Sequence, residues 1–197
     1  MNQTGMRRQL VTLKNLTQLM IPRLYAHLEK SGSDEFFFLF RQLLVWFKRE
    51  FSWDDVCTLW ECLWTDWLSG QFHLFIALAI LDRHKEVIMG NIPPANPPSP
   101  QTTLSTGFNV LLLRWDGVLI LEHLREFDEV LKYINDLSMT IDLESTLVRA
   151  EVLFYRFQGT VELIDRKNAE RVREGKEPEG VISDELRGLL KKEYPHE

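Results

Sequence analysis

One apolar segment constrains the fold of this chain more than any other feature. Residues 36–81 read FFFLFRQLLVWFKREFSWDDVCTLWECLWTDWLSGQFHLFIALAIL and hold five of the six tryptophans among 197 residues. The segment contains two helix starts, but no nucleophile–base pair, metal-ligand cluster or glycine-rich phosphate loop. It therefore indicates an architecture without indicating a reaction.

Apolar residues at three- and four-residue steps predict helices along most of the chain. The segment from Phe36 to Phe51 is apolar on most sides, which is typical of a helix buried at the centre of a domain. The predicted helices cover residues 7–21, 22–28, 36–51, 53–67, 72–89, 122–137, a long one after 142 and a short one after 183. The sequence thus predicts an all-α bundle of about eight helices and no sheet.

Small polar residues mark where several of these helices begin. Ser52, Asp142 and Ser183 each precede an apolar-periodic run, as N-cap residues do. Asp34 is a further candidate N-cap, for the helix that starts at Phe36. Asp54 and Asp55 suit the first turn of the helix after Ser52, because carboxylates interact favourably with the helix dipole there.

The tryptophans at positions 46, 53, 60, 64 and 67 recur at near-helical spacing. Such aromatic stripes are more often core than binding surface, so we expect them to be buried. The alternative is a partner-binding groove. If part of the domain that covers this face is missing, the face becomes adhesive.

Composition and charge exclude several classes of protein. The formal net charge of −6 argues against nucleic-acid binding, which needs a basic surface. Arg7-Arg8 is too short to form one. The longest apolar-rich run, residues 72–81, has about half of the roughly 20 residues that a membrane span needs. The first residues lack an apolar signal-peptide core. We therefore expect a soluble protein that is at most peripheral to membranes.

Reactive side chains form no convincing site. Cys57 and Cys62 fall in one predicted helix, where a disulfide is implausible, so we expect reduced core thiols and a cytosolic setting. Asp54 and Asp55 are explained by capping, and Glu61 and Asp66 are five residues apart, which does not suit a paired carboxylate site. His73 and His84 have no second close ligand pair for a metal. We predict no catalytic residue and no metal site.

Residues 90–121 break the helical pattern. They contain the run NIPPANPPSP, five of the eight prolines and only two charged residues, Arg114 and Asp116. Proline runs are incompatible with a helix. Asp116-Gly117 between apolar stretches is a weak hairpin signal. We expect an irregular proline-rich insertion.

The remaining sequence resembles a known family. The runs GMRRQL, FFFLFRQLLVWFKREFSWDDVCTLWECLWTDW, FHLFIALAILDRHKEVIM and FDEVLKYINDLSMTIDLESTLVRAE resemble the C-terminal half of the TBC domain, most of all in its Gyp7 branch. The markers are Arg49-Glu50-Phe51, then Trp60-Glu61, Phe72 and Ile80-Leu81. The resemblance covers most of residues 5–89 and 122–165, and the family fold is all-helical.

The resemblance implies a regulator of an enzyme. TBC domains are GTPase-activating proteins for Rab GTPases in vesicle trafficking. The partner would be a Rab carrying its own GTP and Mg²⁺, so this chain would need no cofactor. The family supplies an arginine from I-x-x-D-x-x-R, which neutralises charge on the transferred phosphoryl group, and a glutamine from Y-x-Q, which orients water. The implied location is the cytoplasm, with peripheral attachment to endosomal or vacuolar membranes.

This chain departs from the family at those two motifs. Neither I-x-x-D-x-x-R nor Y-x-Q occurs in the sequence, and the resemblance places both upstream of GMRRQL. We therefore expect a partial TBC domain that activates little by itself. The candidate GTPase contacts are Arg7, Arg8, Lys48 and Arg49. The alternative is a non-catalytic helical module that binds a small GTPase or scaffold.

The resemblance also divides the chain into four parts. Residues 1–89 and 122–165 form two parts of the TBC lobe, and residues 166–197 form a charged tail with a short helix. Residues 90–121 interrupt the lobe, since joining Met89 to Glu122 restores the family sequence. We expect either a retained intron translated in frame, from a gene model also truncated at its start, or a genuine loop insertion. A transcript that keeps these codons would exclude the intron.

Overall fold

The structure is a computed structural model that describes residues 3–91, 127–180 and 182–192. These residues form eight α-helices and one short 3₁₀ helix, and they contain no strand. The α-helices are α1 (Gln3–Met20), α2 (Pro22–Lys30), α3 (Phe40–Leu44), α4 (Trp53–Trp64), α5 (Phe72–Ile88), α6 (Phe127–Asp136), α7 (Leu143–Arg173) and α8 (Asp184–Gly188). The all-α prediction is confirmed.

Helix α5 is the centre of the core. Every residue from Phe72 to Asp82 is buried, as expected for a helix that is apolar all round. Its most extensive neighbour is α7, and α1 and α3 also pack against it. Phe75 lies with its ring centre 5.2 Å from that of Phe154 and 5.8 Å from that of Phe157, both on α7. These rings make α5 and α7 one packed unit.

The predicted helix starts are largely confirmed. The hydroxyl of Ser52 accepts from the backbone N–H of Asp55, and the carboxylate of Asp142 accepts from that of Ser145. Ser183 caps α8 in the same way. The prediction for Asp34 is wrong, because its carboxylate instead lies 2.7 Å from the Lys14 ammonium of α1. That hydrogen bond is the main cause of the raised pKa of Lys14.

The prediction of one helix from Phe36 to Phe51 is also wrong. A 3₁₀ helix at Phe37–Leu39 and the short α3 are followed by turns. Trp46 and Phe47 are left-handed, with φ of 50° and 58°. Two consecutive left-handed residues that are not glycine cannot continue an α-helix. The tryptophan-rich helix is likewise shorter than predicted, since α4 ends at Trp64.

Polar contacts connect the outer helices to this core. The ring nitrogen Nδ1 of His84 in α5 lies 2.7 Å from the hydroxyl of Tyr133 in α6. Arg187 of α8 forms an ion pair with Asp165 of α7. These contacts add to the packing of the buried apolar residues of α6 and α8, such as Val130 and Leu186.

Two sequence expectations fall outside the described residues. All but the first two residues of the predicted insertion 90–121 do so, as does the hairpin signal at Asp116-Gly117, so both remain predictions. Within the ranges that the structure covers, no helix has both the length and the apolar character needed to cross a bilayer.

Candidate functional site

Residues 45–51 form a tightly held turn between α3 and α4. The backbone N–H of Phe47 donates to the carbonyl of Gln42 at 2.8 Å, which caps α3. The carbonyl of Glu50 accepts from the backbone N–H of Met139 at 2.9 Å, and that of Arg49 accepts from the Ser138 hydroxyl. The turn is thus attached to the segment that follows α6.

An ion pair between Arg41 of α3 and Glu50 stabilises the turn. The buried carboxylate of Glu50 accepts a hydrogen bond from the Arg41 guanidinium at 3.2 Å. Burying a carboxylate is costly unless a cation compensates it. This pair therefore stabilises one particular position of the chain from α3 to residue 50.

Trp46 connects the turn to α4 and α5. Its carbonyl accepts a hydrogen bond from the indole N–H of Trp60 at 2.9 Å. Its ring stacks on the imidazole of His73, with ring centres 5.6 Å apart. Left-handed residues other than glycine cost on the order of 1–3 kcal/mol each, and they persist where the surroundings over-determine them. The hydrogen bond from Trp60 and the stacking on His73 hold Trp46 in this conformation.

The prediction that the tryptophans are core is wrong for most of them. The exposed fractions are 60% for Trp53, 68% for Trp64, 43% for Trp67 and 37% for Trp46. Only Trp60 is partly buried against the core. The cause is the packing of α4, which buries a narrow stripe of three aliphatic residues, Val56, Leu59 and Leu63. Trp53, Trp60 and Trp64 lie to the side of that stripe, and Trp46 and Trp67 lie outside α4.

Four of these tryptophans form one continuous surface, here called the tryptophan surface: Trp46, Trp53, Trp60 and Trp64. The Trp60 ring centre lies 6.3 Å from that of Trp53 and 5.6 Å from that of Trp64. Lys48 extends its ammonium over the Trp53 ring at 5.8 Å, a cation–π contact. The surface is therefore aromatic and bordered by a cation.

The candidate GTPase contacts predicted from the sequence are all exposed. Lys48 and Arg49 are consecutive residues of the turn, and Lys48 lies at the edge of the tryptophan surface. Arg7 and Arg8 lie in the first two turns of α1. In the described part of the chain, the side chain of Arg49 forms no hydrogen bond or ion pair. It is thus available to a partner.

Several buried polar atoms in α3, the turn and α5 have no hydrogen-bond partner in the described structure. They belong to the amide of Gln42, the second carboxylate oxygen of Glu50 and Nε2 of His73. Burial lowers the pKa of His73 to about 4, so its imidazole is neutral at physiological pH. A neutral ring suits its stacking position beneath Trp46.

Other reactive side chains have ordinary structural roles. Cys57 and Cys62 are free thiols, as predicted, but Cys57 is exposed and Cys62 is half-buried, so neither is a core residue. The pKa of Cys62 is raised, mainly by burial. No group of three histidine, cysteine, aspartate or glutamate residues among those described could hold a metal ion.

The described residues thus form an all-helical lobe with aromatic and cationic side chains exposed on and beside the turn 45–51. A family model, the Rab-GTPase-TBC domain, matches residues 1–89. This match and the similarities below show that the chain belongs to the TBC family, as a Gyp7-like member.

Curated relatives match almost the whole chain. GTPase-activating protein GYP7 of Yarrowia lipolytica is 52% identical over 191 residues, which cover 96% of this chain and 22% of the relative. GTPase-activating protein gyp7 of Schizosaccharomyces pombe is 39% identical over a stretch that covers 98% of this chain and 22% of the relative. Human TBC1 domain family member 17 is 34% identical over a stretch that covers 82% of this chain and 20% of the human protein. The chain spans about a fifth of the length of these relatives.

Proposed function

We propose that this chain is part of a GTPase-activating protein for Rab GTPases and forms a lobe that contacts the GTPase. The observation that carries the proposal is the 52% identity over 191 residues to a protein named GTPase-activating protein GYP7. The partner is a Rab-type GTPase that brings its own GTP and Mg²⁺. The chain regulates an enzyme and needs no cofactor.

The turn 45–51 is the proposed contact. It presents Lys48 and Arg49 from a backbone whose conformation is fixed by the Arg41–Glu50 pair and by the contacts of Trp46. A backbone that is already fixed loses little entropy on binding. Adjacent tryptophans add apolar area of the kind that is enriched in interface hot spots. Arg7 and Arg8 form a second proposed contact on α1.

The catalytic groups of the family come from outside this sequence in our proposal. Neither I-x-x-D-x-x-R nor Y-x-Q occurs among the 197 residues. An arginine supplied to a GTPase is worth about 10³ to 10⁵ in rate. Without it, the chain binds a Rab but accelerates hydrolysis little. Its place of action is the cytoplasm, as a protein at most peripheral to endosomal or vacuolar membranes.

The second candidate is a non-catalytic module that binds a GTPase or a scaffold. The tryptophan surface favours this second candidate, because Trp53 and Trp64 are more than half exposed among the described residues. Contiguous apolar patches on soluble proteins commonly mark interaction sites.

A binding experiment tests the GTPase contact. A panel of Rab-type GTPases, each loaded with Mg²⁺ and a non-hydrolysable GTP analogue, is titrated with the full chain and with a Lys48→Glu/Arg49→Glu variant. We expect at least one GTPase to bind and the variant to bind it at least about tenfold more weakly, since like charges at an interface cost several kcal/mol.

The matched control is Arg166→Glu/Lys167→Glu, which reverses two exposed cations on α7 and changes the net charge equally. It should leave the dissociation constant within about twofold. Equal weakening by both variants would show that only net charge matters. Binding to no GTPase, with a folded chain, would favour the scaffold module.

A further inference from the structure

A groove lies between α4 and α7, on a different flank of α4 from the tryptophan surface. Trp60 and Cys62 are two residues apart, which separates their side chains by roughly 160° around the helix axis. The cavity has a volume of about 390 Å³. It is lined by residues of α4 and the segment after it, Glu61, Cys62, Thr65 and Trp67, and by residues of α7, Leu147, Val148 and Glu151. We call this the α4–α7 groove.

The groove is apolar with an acidic rim. Its only charged lining residues are Glu61 and Glu151. Neither carboxylate forms an ion pair with another residue in the described part of the chain. No lysine or arginine occurs between Arg49 and Arg83, so the whole of α4 carries only acidic charge. The rim is therefore complementary to a cation.

The apolar lining continues along the outer face of α7. Val148, Val152 and Tyr155 follow at steps of four and three residues, and each is more than half exposed. Their spacing places them on one face over about two turns, or roughly 10 Å. They lie opposite the residues of α7 that contact the core, such as Ala150 and Phe157. An apolar helix face of this kind suits a second helix.

We propose that the α4–α7 groove and this face of α7 bind a short amphipathic helix of another protein, one that carries an aliphatic anchor beside lysine or arginine. The anchor enters the groove next to Trp67 and Leu147. The cations pair with Glu61 and Glu151. Helix-in-groove recognition uses anchors at three- and four-residue steps, which match the spacing of Val148, Val152 and Tyr155.

Charge distinguishes this occupant from a second copy of the chain. A symmetric contact through the groove would bring Glu61 and Glu151 of two molecules to one seam, and like charges at an interface are unfavourable. The chain also has a net charge of −6, which adds repulsion between copies. A basic helix is repelled neither by Glu61 and Glu151 nor by the net negative charge of the chain.

The two cysteines allow a direct test with the intact chain. The probes are two synthetic amphipathic helices of equal leucine content, one with lysine and one with glutamate on its polar face. Alkylation of each cysteine is followed by mass spectrometry at about pH 8.5. Cys62 lines the groove, whereas Cys57, five residues earlier and exposed, does not. We expect the leucine–lysine peptide to slow alkylation at Cys62 several-fold and to leave Cys57 unchanged.

Charge reversal supplies the second arm. Glu61→Lys/Glu151→Lys should weaken the leucine–lysine peptide at least about tenfold and let the leucine–glutamate peptide bind. The control Glu29→Lys/Glu170→Lys changes the net charge equally at two exposed positions elsewhere, and it should bind as the unmodified chain does.

Three outcomes would overturn the proposal. The first is equal binding of both peptides, and the second is equal weakening by the two double variants. The third is a dimer in sedimentation that the groove variant abolishes, because a second copy is then the occupant. Since no GTPase enters these assays, their result is independent of the proposed GTPase contact.

Discussion

Arg149 of α7 forms an ion pair with the buried carboxylate of Asp82 in α5, with its Nε 2.6 Å from Oδ2. Lys85 donates to the other carboxylate oxygen at 3.0 Å. Asp82 is the last residue of the continuously buried part of α5, and Arg83 next to it donates to Ser145 at the start of α7. The central helix pair is thus held by the Phe75 ring contacts near the N-terminal end of α5 and by these charges further along the helix.

Removal of the arginine should therefore destabilise the lobe. We expect Arg149→Ala to lower the free energy of unfolding by about 2 kcal/mol, because it leaves a buried carboxylate with Lys85 alone. Urea unfolding followed by circular dichroism measures the change. Arg156→Ala, at an exposed position on the same helix, should change the value by less than about 0.5 kcal/mol. Equal losses of unfolding free energy in the two variants would show that the Arg149–Asp82 ion pair does not stabilise the lobe.

The indole N–H of Trp60 should contribute to the stability of the turn 45–51. Trp60→Phe removes the donor to the Trp46 carbonyl, and we expect a loss of about 1 kcal/mol in the free energy of unfolding. Trp64→Phe removes the neighbouring, exposed indole and should cost less than half as much. Denaturant titration of both variants makes the comparison. A larger effect at Trp64 would show that the hydrogen bond is unimportant.

Stability should fall as the pH is lowered from 6.5 to 4, because of His73. Burial lowers its pKa from 6.5 to about 4, so in this window the unfolded chain binds a proton that the folded chain does not. Above pH 6.5 the ring is neutral in both states, and the free energy of unfolding is unaffected by this residue. As the pH falls towards 4, protonation of the unfolded chain lowers the free energy of unfolding. The full effect is about 3 kcal/mol, from 1.36 kcal/mol per pKa unit.

The variant His73→Phe tests this assignment. It keeps an aromatic ring for stacking on Trp46 but does not titrate. Its free energy of unfolding should depend less on pH between 6.5 and 4 than that of the unmodified chain. Burial also lowers the pKa of His84, so some slope should remain. An unchanged pH dependence would assign the proton uptake to other groups.

The sequence predicted those features of the fold that depend on neighbouring residues. Ser52 and Asp142 were identified as caps because a cap side chain bonds to a backbone group only three residues away. The buried helix α5 was predicted from the apolar-rich run of residues 72–81. Both kinds of signal are local, and the structure confirms them.

The turn 45–51 could not be predicted in this way. Its residues have the composition of a buried helix, and the contacts that break the helix come from far along the chain. Met139 bonds to Glu50, and His73 stacks on Trp46. The same limit applies to the tryptophans: their spacing on α4 indicated a shared face, but which face is buried depends on the packing of other helices. Only the resemblance to the family, and no local signal, pointed to Lys48 and Arg49.

Single-turnover GTP hydrolysis tests the central claim most directly. A Rab-type GTPase that binds this chain is loaded with GTP and Mg²⁺ and mixed with a saturating amount of the full chain. Because the sequence contains neither finger motif, we predict less than about tenfold acceleration, far below the 10³ to 10⁵ that a supplied arginine gives. Acceleration in that higher range by the chain alone would contradict the account, because a catalytic arginine would then have to lie among these 197 residues.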